Sequence, residues 1–311
     1  ALGHRPSPLS MNTTVQLHPS LPAFSRIVYG AWRMNDGAGS TPAQALEKIE
    51  LCLDQGITTF DHADIYGNYS CEQLFGDALR LKPALKSRMQ LVSKCDIMLL
   101  SDKFHERRVK YYDTSAAHIE ASVESSLRKL GVERLDVLLM HRPDPFMDAA
   151  ETGDCLDRLV QAGKIGAAGV SNFKAWDWNL LQSCMKTPLV TQQLEISLLE
   201  RSVFLDGTLA QCQQNKVHPM AWSPLAGGNL FGQSAAALRV QPALQRLANA
   251  FGVAPDAVAT AWLLAHPSGI LPVMGTNHPA RIRALSDAWR VKMDRETWFE
   301  LWTLAAGQEV P

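Results

Sequence analysis

Reactive side chains recur at the ends of apolar runs in this chain of 311 residues. The segment Phe60–Gly67, FDHADIYG, places Asp61 and Tyr66 where the run Ile57–Phe60 stops. Lys94 follows LVS, His141 follows LDVLLM, and Ser171–Asn172 follow IGAAGV. A phenol with a pKa of about 10 is a poor proton donor at neutral pH. A nearby ammonium such as Lys94 would stabilise its phenolate and lower that pKa. Asp61 would keep Lys94 charged and in place, and His141 would steer a carbonyl oxygen toward the Tyr66 hydroxyl. Together the four groups make a general acid suited to carbonyl reduction.

For these groups to meet, their strands must end on one rim. The chain alternates strand-like runs with amphipathic helices. Strands are predicted at Arg26–Gly30, Ile57–Phe60, Met89–Ser93, Leu135–Met140, Ile165–Val170, Leu189–Leu194, Val217–Ala221 and Gly269–Met274. The nearly all-apolar run Leu135–Met140 suits a strand covered on both faces. Helices are expected from Thr41–Pro42 to Gly56, from a Ser70/Gln73 capping box to Arg80, and from Ser115 to Gly131. More follow at Leu156–Val160 before Gly163, from Ala175, and at Val203–Gln213. The rest are Pro242–Ala250, Pro255–Ala265, Pro279–Ala288 and Glu296–Ala305. Eight strands in strict alternation with helices call for a closed parallel (β/α)8 TIM barrel, an α/β single domain with its chemistry at the strands' C-terminal ends.

Bulk properties narrow the function. A formal net charge of −1 gives no electrostatic footprint for nucleic acid. The 46% hydrophobic content supports a large core, yet no stretch reaches the roughly 18 apolar residues of a membrane span. Six scattered cysteines without a Cys-x-x-Cys pair read as reduced thiols in a cytoplasmic protein. Residues 1–25 read as an N-terminal tail, of which 1–10 precede Met11 as upstream residues, and 26–311 as the barrel with a C-terminal helix. Oligomeric state is not legible.

The motifs FDHADIYG, VSK, LMHRPD, GVSNF, QQLEIS and AWSPLAGG stand in an order and spacing similar to those of the aldo-keto reductase family. The resemblance spans nearly all of Arg26–Ala288. It implies an eight-stranded barrel that binds NADPH (NADP+) without a Rossmann domain and passes hydride to a small-molecule carbonyl substrate; nothing in the near-neutral chain indicates a membrane partner. The positions matching the family's catalytic four are Asp61, Tyr66, Lys94 and His141. Ser171, Asn172 and Gln193 match residues that bond the carboxamide, and Trp222 matches the aromatic under the nicotinamide. Ser223, Pro224 and Leu225 match the loop at the pyrophosphate, and Ala31, Trp32 and Arg33 the first loop against the cofactor. In GTNHPARI, the groups of Gly275, Thr276 and Asn277 would face a 2′-phosphate, with Arg281 as its bidentate partner. Two positions depart from the family pattern. Gly275 stands where many members have lysine, and Leu285 where asparagine often follows. One cation in place of two implies a weaker preference for NADPH over NADH. The long segment Asp96–Thr114 is expected to shape the substrate pocket, with Phe104, Tyr111 and Tyr112 as candidates.

Three other functions compete. A Schiff-base aldolase would use Lys94, but needs its pKa depressed. A metal-dependent hydrolase would use Asp61, His62 and Asp64, although strand alternation points neighbours apart. An NADPH-sensing subunit, as some barrels resembling this family are, would keep the cofactor site without turnover. Blander roles exist for single residues: Asp61 as a cap, Lys94 as a solvated charge, His141 or Trp222 as core, Arg281 as an ion-pair partner.

Overall fold

Period-two alternation in the strands sorts side chains into two cores. From Leu135–Met140, Val137 and Leu139 join one apolar cluster and Leu138 and Met140 another. The first cluster also takes Val28, Val92, Ala167, Val190, Met220, Leu271 and Val273, and fills the inside of a barrel. The second packs strand residues such as Phe60, Leu91, Ala168 and Val170 beneath the surrounding helices. This is the two-sided burial expected of parallel strands.

The computed structural model describes residues 12–36 and 40–311. Eight strands close into a parallel barrel: β1 (Val28–Gly30), β2 (Thr59–Asp61), β3 (Gln90–Cys95), β4 (Leu135–Met140), β5 (Ile165–Ser171), β6 (Leu189–Glu195), β7 (Met220–Trp222) and β8 (Leu271–Met274). Each pairs with its sequence neighbours, and β8 pairs with β1. The predicted fold class is therefore the observed one. Residues expected as a tail carry an antiparallel pair, Thr14–Val15 with Phe24–Ser25. Its Leu17, Leu21 and Phe24 are buried in the interior cluster and plug one end of the barrel. Residues 1–10 lie outside the described residues.

Several helices differ from expectation. Ser70 makes no capping bond; its hydroxyl donates to the Gly67 carbonyl at 2.5 Å and accepts from Asn35. The Val203–Gln213 stretch splits at Gly207 (φ +89°) into a short turn, Ser202–Phe204, and a helix, Thr208–Gln214. Pro242 lies inside a longer helix, Ala235–Phe251, capped by the Ser234 hydroxyl. A proline there leaves the Leu238 carbonyl without its helical donor, and Leu238 is on the solvent side where water can serve. Pro279–Ala288 ends as a helix at Arg283 and continues as a 3-10 turn over Leu285–Arg290. At the C-terminus, Trp262 and Trp298 stack at 4.7 Å and exchange Nε1–H bonds to each other's carbonyls, both 3.0 Å, which fixes the helix Arg295–Ala306. Among the described residues no single helix is long and apolar enough to cross a membrane.

Candidate active site

The parity that fills the barrel also aims the polar groups. Lys94 lies two residues beyond Val92, His141 two beyond Leu139, Trp222 two beyond Met220, so each shares the inward face of its strand. Asp61 and Lys94 fall within their strands, at or near the last residue, and not after them as expected. β6 breaks parity. Its pairing with β5 shifts register between Leu189 and Gln192, so Val190 and Gln193 both face inward. Gln192 turns outward and bonds the backbone of Phe173 in both directions.

Lys94 is at the centre. Its Nζ donates to Asp61 Oδ2 at 2.7 Å, to the Tyr66 hydroxyl at 2.8 Å and to the His62 carbonyl at 2.9 Å. Three N–H groups thus meet three acceptors, and the side chain is wholly buried. Burial pushes the Lys94 pKa down, and the Asp61 carboxylate opposes that. Gln193 Nε2 donates to the other oxygen of Asp61 at 2.9 Å. A buried ion pair survives only when such bonds satisfy its remaining valences. The lowered pKa is what Schiff-base chemistry would require, but Nζ is wholly buried, engaged in three bonds and off the cavity wall, so a carbonyl carbon has no open face to reach.

The phenol departs from expectation. Burial, and then Asp61, raise the Tyr66 pKa well above its ordinary value. Lys94 therefore does not acidify Tyr66 in the resting site: desolvation above all, and then the Asp61 carboxylate, outweigh the ammonium although it is the closer group. The hydroxyl oxygen accepts from Lys94, and its own hydrogen has only a long bond, 3.4 Å to Asp61 Oδ2. It is a neutral phenol with a proton to give. His141 meets the Tyr66 ring edge-on at 6.2 Å. Burial, then Lys94, Arg142 and Lys110, hold its pKa well below the ordinary range, so the imidazole is neutral. Its Nδ1 is buried without a protein partner.

The triplet Asp61, His62 and Asp64 does not converge. His62 packs edge-on against Phe75 at 4.4 Å, its pKa pushed down to about 3 by burial and Lys94. Asp64 accepts from Ser122 at 3.0 Å. Among the described residues no cluster of three His, Cys, Asp or Glu side chains could hold a metal.

A cavity of about 420 Å³ opens in front of these groups. Asp61, Tyr66, His141, Ser171, Asn172, Gln193 and Trp222 line one part of it, with Ser223, Pro224 and Leu225 adjoining. Trp32, Arg33, Gly275 and Arg281 line it as well. Lys94, Ala31, Thr276 and Asn277 do not; the first two are buried and the last two half-buried beside it. The Thr276 carbonyl accepts from Tyr29, and the Asn277 side chain is tied to Lys48 at 3.1 Å and to the Arg33 carbonyl. Asn172, with φ +61°, knits three strand ends: Nδ2 donates to the His141 carbonyl and to Ser171 Oγ, and Oδ1 accepts from Trp222 Nε1 at 2.9 Å. Ser223, Ala226, Gly227 and Gly228 all have positive φ, and a Cβ at either glycine would meet nothing within 4 Å. Within this turn the Ala226 and Gly228 N–H groups donate to the Ser223 and Leu225 carbonyls, so only the turn's remaining N–H groups can point toward an anion.

Some of the lining was not anticipated. Lys110 and Arg142 face the cavity, and the Arg142 guanidinium lies 5.6 Å from the Trp222 ring centre. Arg142 was visible beside His141 in LMHRPD; Lys48 gave no local signal, since only the fold brings its helix, Pro42–Leu53, to Asn277. Phe104, Tyr111 and Tyr112 do not line the cavity; from that segment Ile97 and Lys110 do. Tyr111–Tyr112 pairs with Ile97–Met98 in a small antiparallel hairpin. After Tyr66 the backbone runs left-handed through Gly67, Asn68 and Tyr69 (φ +60°, +52° and +69°). Each non-glycine in that region costs about 1–3 kcal/mol.

The model of the aldo/keto reductase family matches residues 26–304. The chain is 54% identical over 287 residues to a 6-dehydroglucose reductase of Agrobacterium fabrum, covering 92% of this chain and 96% of that one. Among solved structures it resembles a glycerol dehydrogenase of Gluconobacter oxydans, with a TM-score of 0.84 and 25% identity over 95% of this chain and 96% of that one. An aldo-keto reductase of Klebsiella pneumoniae, solved in complex with NADPH, matches with a TM-score of 0.74 and 27% identity over 93% of each chain.

Proposed function

The chain belongs to the aldo-keto reductase family of oxidoreductases, and on that premise we propose that it reduces an aldehyde or ketone with NADPH, using Tyr66 as general acid assisted by Lys94, Asp61 and His141. The observation that carries this reading is the Tyr66 hydroxyl at the cavity wall, accepting from a buried lysine at 2.8 Å while its own proton is loosely held.

The cavity's donor set fits a nicotinamide dinucleotide. Ser171 Oγ donates to the Gln193 carbonyl, the Asn172 amide hydrogens go to His141 and Ser171, and Gln193 Nε2 goes to Asp61. Their side-chain oxygens keep acceptor capacity, which suits the N–H groups of a carboxamide. Trp222 offers a flat apolar face, the turn Ser223–Gly228 an open backbone that a diphosphate could approach closely, and Arg281 with Arg33 a positive rim at the Gly275 end. Thr276 and Asn277 would act there as supports. Lys48, anchored on Asn277, adds the second cation that the segment itself lacks.

The bound dinucleotide supplies a hydride to the carbonyl carbon. Neutral His141 orients the carbonyl oxygen, and Tyr66 delivers its proton to that oxygen as the C=O bond becomes an alcohol. The resulting phenolate is stabilised by the Lys94 ammonium at hydrogen-bond distance, which Asp61 holds in place and the buried surroundings strengthen. Lys94 thus acts on the product of proton transfer and not by deprotonating the phenol beforehand. Solvent restores the proton.

The substrate reading follows the relatives: an aldehyde on a hydroxyl-rich sugar, of the kind the Agrobacterium enzyme is named for. Trp32, 55% exposed at the cavity, with Arg142 and Lys110, suits a polyhydroxylated molecule needing an apolar platform and several donors. Residues 26–311 would work as one unit, in the cytoplasm, where the six thiols stay reduced. Fluorescence titration with NADPH and NADH, then turnover of simple aldehydes, ketones and 6-dehydroglucose, tests the proposal. Tight NADPH binding without oxidation by any carbonyl would favour the sensing subunit instead.

A further inference from the structure

We infer that Arg107 is a positioning residue for Tyr66, acting through Tyr69. The inference rests on the reading of Tyr66 as proton donor. Tyr66 is followed at once by three left-handed residues, two of which are not glycine, and the chain does not hold such a turn unaided. The excursion Leu99–Arg107 holds it. Arg107 Nη1 donates to the Tyr69 hydroxyl at 2.7 Å and to the Leu99 carbonyl at 3.0 Å. The Leu99 amide donates to the same hydroxyl at 3.2 Å. The guanidinium lies 3.7 Å from the centre of the Phe104 ring, which in turn meets Tyr69 edge-on at 4.9 Å. Asn68 is gripped separately: Ser101 donates to its Oδ1 at 2.7 Å, its Nδ2 donates to Asp102 at 2.8 Å, and Lys103 donates to its carbonyl at 2.6 Å.

Each contact closes on the turn, not on the cavity, which explains why Phe104 faces away from substrate. The clasp over-determines a strained turn next to a reacting hydroxyl, where misplacement by about 1 Å can cost on the order of 100-fold. The segment between the two strands of the Ile97–Met98/Tyr111–Tyr112 hairpin thereby sets the direction of the Tyr66 phenol.

The test uses the full chain with saturating NADPH and a carbonyl that the wild type turns over. Single-turnover NADPH oxidation is expected to slow about 10- to 100-fold in Arg107→Ala, with NADPH affinity by fluorescence within about twofold of wild type. The solvent deuterium isotope effect should rise as proton transfer becomes limiting. Arg107→Lys should recover part of the rate. Tyr69→Phe, which keeps the ring and removes the hydroxyl, should slow the step too, and less than additively with Arg107→Ala. A rate within twofold of wild type in both Arg107→Ala and Tyr69→Phe overturns the inference, as does a change confined to the KM for the carbonyl. If Arg107→Ala does not fold, Tyr69→Phe decides alone by the same readouts. Tyr66→Phe run alongside separates the two readings: turnover retained there defeats the assignment of Tyr66, whereas turnover lost there and kept in the clasp variants defeats only the role of Arg107.

Discussion

The two ends of the barrel are built from the same alternation and put to opposite uses. At the end where the strands begin, Leu17, Leu21 and Phe24 of the N-terminal hairpin close the interior with apolar side chains. At the end where they finish, the same inward face carries Asp61, Lys94, His141, Ser171, Gln193 and Trp222. Strain is concentrated on the second rim: among the described residues, six of the seven non-glycine residues with positive φ (Asn68, Tyr69, Asp96, Asn172, Ser223 and Ala226) lie beyond strand ends there, and the seventh, Lys216, precedes β7 at the other end. One rim lowers the free energy of the fold; the other holds buried charges and unfavourable backbone that the rest of the molecule must stabilise. The division follows from burial, because excluding water strengthens every electrostatic contact at the site, whereas the buried ion pair itself adds little to stability.

The comparison breaks most sharply at Tyr66. Tyr66→Phe is expected to lower carbonyl reduction by about 10²–10⁴-fold, with NADPH affinity and thermal stability nearly unchanged. Steady-state kinetics beside thermal melts check this, and lost NADPH affinity with intact turnover would defeat the assignment of Tyr66 as proton donor. Phe24→Ala is the counterpart at the plugged end. It should cost about 3–5 kcal/mol in denaturant unfolding while leaving kcat near wild type in whatever fraction stays folded.

A third test concerns Asp64, behind the second rim. Burial and Glu72 push its pKa up to about 7, so the native state holds a proton that the unfolded chain releases. Its contribution to stability is complete below about pH 4 and is lost as pH rises through about 7. Asp64→Asn should flatten that part of the stability profile, measured as denaturation midpoint against pH. An unchanged slope would mean that the carboxyl is ionised in the fold. The smallest effect is expected at Arg281. Arg281→Ala should weaken NADPH about tenfold and NADH hardly at all, by titration of each. Equal losses would show that the guanidinium does not reach a 2′-phosphate.

Much of this was legible in the residues alone. Strand order and fold class followed from eight apolar runs alternating with capped helices, and Leu135–Met140 and the helix between Ser115 and Gly131 were readable to the residue. That Asp61, Tyr66, Lys94 and His141 meet was legible because a barrel must bring successive strand ends together. What the linear pattern could not carry was anything set by contact between distant segments. The bulge that turns Gln193 inward, the meeting of Lys48 with Asn277 and the closing of Leu99–Arg107 on Asn68–Tyr69 depend on packing, not on spacing. The phenol's charge state is the plainest case. Residue types promised an ammonium beside a tyrosine, but only the tertiary structure showed how much water had been removed, and desolvation decided the sign.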